Sequence, residues 1–204
     1  MSTEGERFRR GDHVEGELLV GLDLSDAMLD GVTFERCTFE RCTAQRASFR
    51  RCGLEECRFV GCDLSMASLV DARLRDVRFE GSKLMGVDWT VVQAFGLAIA
   101  FDGCELGYGN FSDLSLRELR CVASRAQEAD FSGADLTASD FEGTDLTGAR
   151  FRRTNLTRAD LSGARGVHVD PAANKLLQTR LSLDALIVIG ETLGIVVPGM
   201  RGDR

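Results

Sequence analysis

The sequence predicts an all-β solenoid closed at its C-terminal end by a short helical cap. Three observations predict it: a five-residue apolar period, a second series of small residues in phase with it, and the point near residue 166 where both stop. Counting in fives from Leu24 gives Leu29, Phe34, Phe39, Ala44, Phe49, Leu54, Phe59, Leu64, Leu69, Leu74, Phe79, Leu84 and Trp89. A second run starts at Phe101 and continues through Leu106, Phe111, Leu116, Cys121, Ala126, Phe131, Leu136, Phe141, Leu146, Phe151, Leu156 and Leu161. Of these 27 positions 23 are Leu or Phe, and ten of the twelve Phe residues fall in the register of their own run, five in each, far above the about one fifth expected by chance.

A period of five matches neither the helical period of about 3.6 nor the period of about 2 of a plain strand, so it requires a turn in every repeat, with two side chains of each five directed inward. The second inward series lies two residues before the first: Ala27, Val32, Cys37, Cys42, Ala47, Cys52, Cys57, Cys62 and Ala67, then Cys104, Ala129, Ala134, Ala149 and Ala159. Six of the seven cysteines occupy this slot, and Cys121 falls in the large one. Free Cys packs as a small hydrophobe. The odd number, the lack of a CxxC pair and the lack of a neighbouring histidine argue against disulfides or zinc, so the thiols are read as core, with no metal or cofactor.

The register breaks once, between Trp89 and Phe101, which lie twelve residues apart instead of ten. Two extra residues must be absorbed within 90–100 (TVVQAFGLAIA), and the apolar character of that stretch leads us to expect a packed kink, with a binding loop as the alternative. Residues 1–16 are charged and are expected to fray, leaving the solenoid at 17–166. In the final segment, 167–204, Asp170-Pro171 looks like the start of a short helix, as an N-cap followed by the proline favoured at the first helical position. Ser182 then opens an apolar helix that Gly194 stops. Leu183, Leu186, Ile187, Ile189 and Leu193, followed by Ile195, Val196 and Val197, are greasier than a simple cap requires, which predicts a homodimer through this end.

An apolar fraction of 44% with 28% charged residues excludes disorder. No apolar run reaches the roughly 18–20 residues of a membrane span and the N-terminus has no apolar core, so a cytoplasmic location is expected. His13 and His168 sit at the margins and no nucleophile–base motif appears, so the chain is not expected to be an enzyme. The formal charge of −7 is concentrated: from Asp102 to Asp145 ten acidic residues face three arginines. The 20-residue coil that the resemblance of this repeat to a known family implies would place Asp102, Asp140, Glu142 and Asp160 on one wall, with Glu105 and Asp145 at the adjoining corner. These six are the candidate binding surface. A short polar residue before each large core residue also has a plainer role, bonding nearby backbone at a turn.

The repeat itself resembles that of the pentapeptide-repeat proteins, whose pattern A(D/N)LXX stands almost verbatim in Ala129-Asp130-Phe131-Ser132-Gly133, Ala134-Asp135-Leu136-Thr137-Ala138 and Ala159-Asp160-Leu161-Ser162-Gly163. The resemblance covers roughly residues 22–164. It implies a right-handed quadrilateral β-helix in which four pentapeptides make a square coil and residues 20 apart stack. Phe39, Phe59 and Phe79 would then form one internal ladder, and Phe111, Phe131 and Phe151 another.

Further features are similar to the branch containing the quinolone-resistance (Qnr) proteins and the mycobacterial fluoroquinolone-resistance protein. They are the Phe- and Cys-rich run from Phe34 to Cys42, the segment Gly61-Cys62-Asp63-Leu64-Ser65-Met66-Ala67, and Leu193-Gly194-Ile195-Val196-Val197 after an apolar helix. That resemblance implies a dimeric rod that imitates DNA and enters the DNA-binding saddle of DNA gyrase or topoisomerase IV, inhibiting the enzyme or displacing a poison, without binding nucleic acid itself. Qnr proteins carry projecting loops, and the only counterpart here is the irregularity at 90–100. The alternative is an interaction or scaffold protein with another partner. A continuous acidic stripe across the dimer axis favours DNA mimicry, and mixed charge favours the scaffold.

Overall fold

The structure, a computed structural model, describes residues 4–195. The chain winds as a parallel β-solenoid of about eight turns followed by one helix. Each residue pairs with the one 20 positions on: Leu18–Val20 with Thr38–Glu40, Thr38–Glu40 with Arg58–Val60, and His13–Glu15 with Thr33–Glu35. Four pentapeptides per coil give four walls. The first carries Phe39, Phe59, Phe79, Phe101 and Phe141, and the second Leu64, Leu84, Leu106 and Leu146. The third carries Trp89, Phe111, Phe131 and Phe151, and the fourth Leu54, Leu74, Leu116, Leu136 and Leu156.

All 27 large-series positions are buried, as is every named member of the small series. Phe39 and Phe59 stack at 4.5 Å between ring centroids and 3°, Phe59 and Phe79 at 5.1 Å, Phe111 and Phe131 at 4.9 Å, and Phe131 and Phe151 at 5.4 Å. The small slot does more than fill space. Cys62 Sγ donates to the carbonyl of Phe39 on the coil before (3.3 Å), Ser82 Oγ to Phe59 (3.0 Å), and Thr144 Oγ1 to Cys121 (2.7 Å). Thiol and hydroxyl are interchangeable there because both are small and both can satisfy a buried carbonyl.

Both ends of the solenoid extend beyond the expected limits. Among the described residues before 17, His13–Glu15 joins the fourth wall and buried Phe8 closes the core edge-on against Phe34 at 5.2 Å, where fraying was expected. This aromatic lid covers core that a bare first coil would expose. No helix starts at Pro171. Residues 171–174 are a turn, and the chain makes a further coil, pairing Lys175 with Asn155 and Arg180–Leu181 with Asp160–Leu161. Backbone pairing to the coil below outweighs the local N-cap signal, and the Asp170 carboxylate instead accepts from Ala172 N (2.8 Å). The one α-helix among the described residues, Leu183–Thr192, is capped by Ser182, whose hydroxyl accepts from Ala185 N, and Gly194 (φ 73) ends it. It docks through Ala185, Ile189 and Gly190, leaving Leu183, Leu186, Leu193 and Ile195 exposed. Val196 and Val197 lie outside the described residues.

The register break is absorbed in a single coil, so that Phe79 pairs with Phe101, 22 residues on. Val92 and Ile99 stay buried, but the expected packed kink holds only for them. Residues 93–96 stand out from the fourth wall, and Phe95 is 88% exposed. The core at this level is already filled by Trp89 stacked on Phe111 at 5.6 Å, which leaves no room for a further ring.

Candidate protein-binding surface

Each Asp that precedes a large core residue is placed by its own turn. Asp140 Oδ1 accepts from Glu142 N, Asp145 Oδ1 from Thr147 N and Asp160 Oδ1 from Ser162 N, each at 3.0 Å. Hydrogen bonds from the Thr147 side chain hold the Asp145 carboxyl below the usual carboxylate range, and those from Ser162 do the same for Asp160. Three of the six candidate carboxylates are therefore turn-formers first, and their charge reaches solvent as a consequence of the repeat.

The structure brings the six onto adjoining walls but threads arginines between them. Arg120 sits between Asp102 (3.7 Å) and Asp140 (3.3 Å), Arg125 beside Glu105 (3.4 Å), and Arg180 beside Asp160 (2.9 Å). Asp145 stacks between Arg125 and Arg165 and accepts from Gln127 Nε2 at 2.9 Å. Glu142 is exposed and, among the described residues, has no ion-pair partner. The surface is thus mixed at short range although the belt 102–145 is strongly acidic in sum. Immediately after it the sign reverses: residues 146–182 hold seven arginines and lysines against Asp160 and Asp170. Charge counted along the sequence finds this inversion; only the stacking shows which carboxylates are paired.

Two features were not legible as candidates. A cleft of about 400 Å³ opens beside the register break, lined by Leu97, Ile99, Phe101 and Leu119, where Ala100 stands between Arg78 and Arg120 in its stack. His13, Glu15 and Glu35 come close enough to share a cation, but the Arg36 guanidinium already reaches both carboxylates. Among the described residues no helix is long and apolar enough to cross a membrane.

A filled four-walled solenoid presenting turn-placed charges defines a class that works by its surface. Models of the pentapeptide repeat match residues 32–111 ("pentapeptide repeat region") and 129–165 ("pentapeptide repeats"), and the chain belongs to the pentapeptide-repeat proteins. No curated relative matches the sequence. Among solved structures it is similar to two trypsin-treated forms of QnrB1, a plasmid-mediated fluoroquinolone resistance protein. Each is 24% identical; one match covers 94% of this chain and 93% of the other (TM-score 0.56), the second 92% and 91% (0.58). It is also similar to HetL of Nostoc sp. strain PCC 7120, a pentapeptide repeat protein involved in heterocyst differentiation regulation, at 21% identity over 86% of this chain and 87% of the other (TM-score 0.62).

Proposed function

We propose that this protein is a non-enzymatic DNA mimic that binds a type II topoisomerase, DNA gyrase or topoisomerase IV, and so inhibits it or shields it from quinolones or other poisons. The observation that carries the reading is the belt from Asp102 to Asp145, ten acids against three arginines on a solenoid whose core is filled by its own side chains. A duplex presents about one charge per 1.7 Å, and a rigid anionic rod addresses the same basic groove. QnrB1, a fluoroquinolone resistance protein that shares the fold, points the same way. Asp102, Glu105, Asp140, Glu142, Asp145 and Asp160 make the contact, steered by charge and weakened by salt.

Two rods join through the exposed helix side chains Leu183, Leu186, Leu193 and Ile195 in this reading. The basic coils then flank the dimer axis, and one acidic belt lies on each arm. The test is a supercoiling and cleavage assay with and without ciprofloxacin across a salt series, using the wild type and a variant with Asp102→Asn, Asp140→Asn and Glu142→Gln. Asn keeps the turn at 140 while removing charge. Salt-sensitive inhibition or relief of cleavage, weakened in the variant, supports the reading; no effect on either enzyme at micromolar protein rejects it. Arginines paired with these carboxylates, and basic coils in place of a continuous acidic stripe at the dimer axis, favour the second reading, a scaffold for another protein, which predicts no effect on either enzyme.

A further inference from the structure

The fourth wall carries a pattern that its own chain does not use. Its two edges are corner stacks: Asp113, Gly133 and Arg153 on one side, Glu118, Ala138 and Arg158 on the other, each step one coil. At successive levels both edges are therefore acidic, then small, then basic. All four charged side chains are exposed, and among the described residues none has an ion-pair partner. Elsewhere the ion pairs that join coils link neighbouring levels, as Arg46 with Asp26 or Arg150 with Asp130. Two levels from the Gly133–Ala138 coil in one direction stands Phe95, 88% exposed. Two levels in the other stands Leu177, 68% exposed.

This arrangement is self-complementary. A two-fold axis lying across the wall at the level of Gly133 and Ala138 sets Asp113 against Arg153 of a second copy, Glu118 against Arg158, and Phe95 against Leu177, each contact occurring twice. At the axis Ala138 presents only a methyl group, and the Asp113 carboxylate leans over Gly133, which has no side chain to displace it. The one like-charge meeting, Asp135 with its copy, is muted because Arg117 (3.1 Å) and Asn155 (3.0 Å) already bind that carboxylate.

We propose that two copies of this chain pair side by side and antiparallel through the fourth wall, by reciprocal ion pairs of Asp113 with Arg153 and Glu118 with Arg158 and by Phe95 on Leu177. This contact is separate from the helix-mediated one and does not depend on topoisomerase binding.

Sedimentation velocity at low and high salt tests it, with the full chain in a Leu183→Glu, Leu186→Glu background that removes end-to-end contact. Arg153→Asp with Arg158→Glu should weaken pairing about tenfold or more, and so should Asp113→Arg with Glu118→Arg. All four changes in one chain should restore it, and the two double variants mixed should pair with each other. The left-handed backbone at these corners already holds Asp, Glu and Arg (φ 56, 59, 58 and 60), so the exchanges are tolerated, which circular dichroism melting checks. Absence of a concentration-dependent dimer, or variants that lose pairing without recovery in the fourfold exchange, overturns the proposal. So does salt-sensitive binding of a duplex oligonucleotide that Arg153→Asp with Arg158→Glu abolishes without changing mass, since the basic edge would then serve a phosphate backbone.

Discussion

The two halves of the solenoid, before and after the break at 93–98, build the same coil from different chemistry. In the first half, three- and four-residue strands form continuous ladders, and a single coil places Arg36, Arg41, Arg46 and Arg51 at its four corners in the left-handed region (φ 51–56). Each folds onto a carboxylate: Arg36 onto Glu15 and Glu35, Arg41 onto Glu40, Arg46 onto Asp26 and Arg51 onto Asp30. In the second half most ladders shrink to isolated bridges, Gly133, Gly143 and Gly148 take corner positions, and Asp or Asn caps the turns. The first half pairs many of its charges along the solenoid but leaves Arg50, Glu56, Asp71 and Arg73 without an ion-pair partner among the described residues, while the second sorts its charges into an acidic and a basic belt and leaves Asp113, Glu118, Glu142, Arg153 and Arg158 likewise unpaired. Binding is therefore sought in the second half.

The comparison can be broken first in the core, where the halves should be equivalent. Phe59→Ala and Phe131→Ala each remove a fully buried rung of a stacked ladder and should each cost about 3–5 kcal/mol by chemical denaturation. A loss under about 1 kcal/mol for either would remove that residue from the core. The small slot should separate hydroxyl from thiol next. Thr144→Val deletes the donor to Cys121 O while keeping shape and should cost about 1–2 kcal/mol, whereas Cys62→Ser should be neutral within about 1 kcal/mol. Equal losses would show that the slot responds to volume alone.

Acid should act on the second half through its turns. Asp145 and Asp160 have carboxyl pKa values depressed in the fold, so the stability they contribute is present above the unfolded value of about 3.9 and is lost as pH falls through the folded value. Asp145→Asn should flatten that acid limb of the denaturation profile, and an unchanged slope would contradict the turn role. The smallest expected signal is chemical. Burial pushes the Cys52, Cys57 and Cys104 thiols up to about 11, so at pH 8 these three should stay silent toward a thiol reagent until the protein is denatured. Rapid labelling of any of them would mean that the coil carrying it opens locally.

What the sequence determined by itself was the repeat: which side chains face inward, which rings stack, and where Ser182 and Gly194 bound the helix. Inward direction and 20-residue stacking are periodic, and a period survives in one dimension. Only the tertiary structure decided that Phe8 and an additional coil past residue 166 close the ends, because backbone pairing to an existing coil outweighs a local N-cap signal. It also decided that Phe95 is expelled, because the space beside Trp89 and Phe111 was already occupied. The charges were half legible. Their sum along the chain showed the acidic belt, but whether a carboxylate is free depends on what stands 20 residues away. Arg120 therefore lies between Asp102 and Asp140, while Glu142 on the same wall has no ion-pair partner among the described residues.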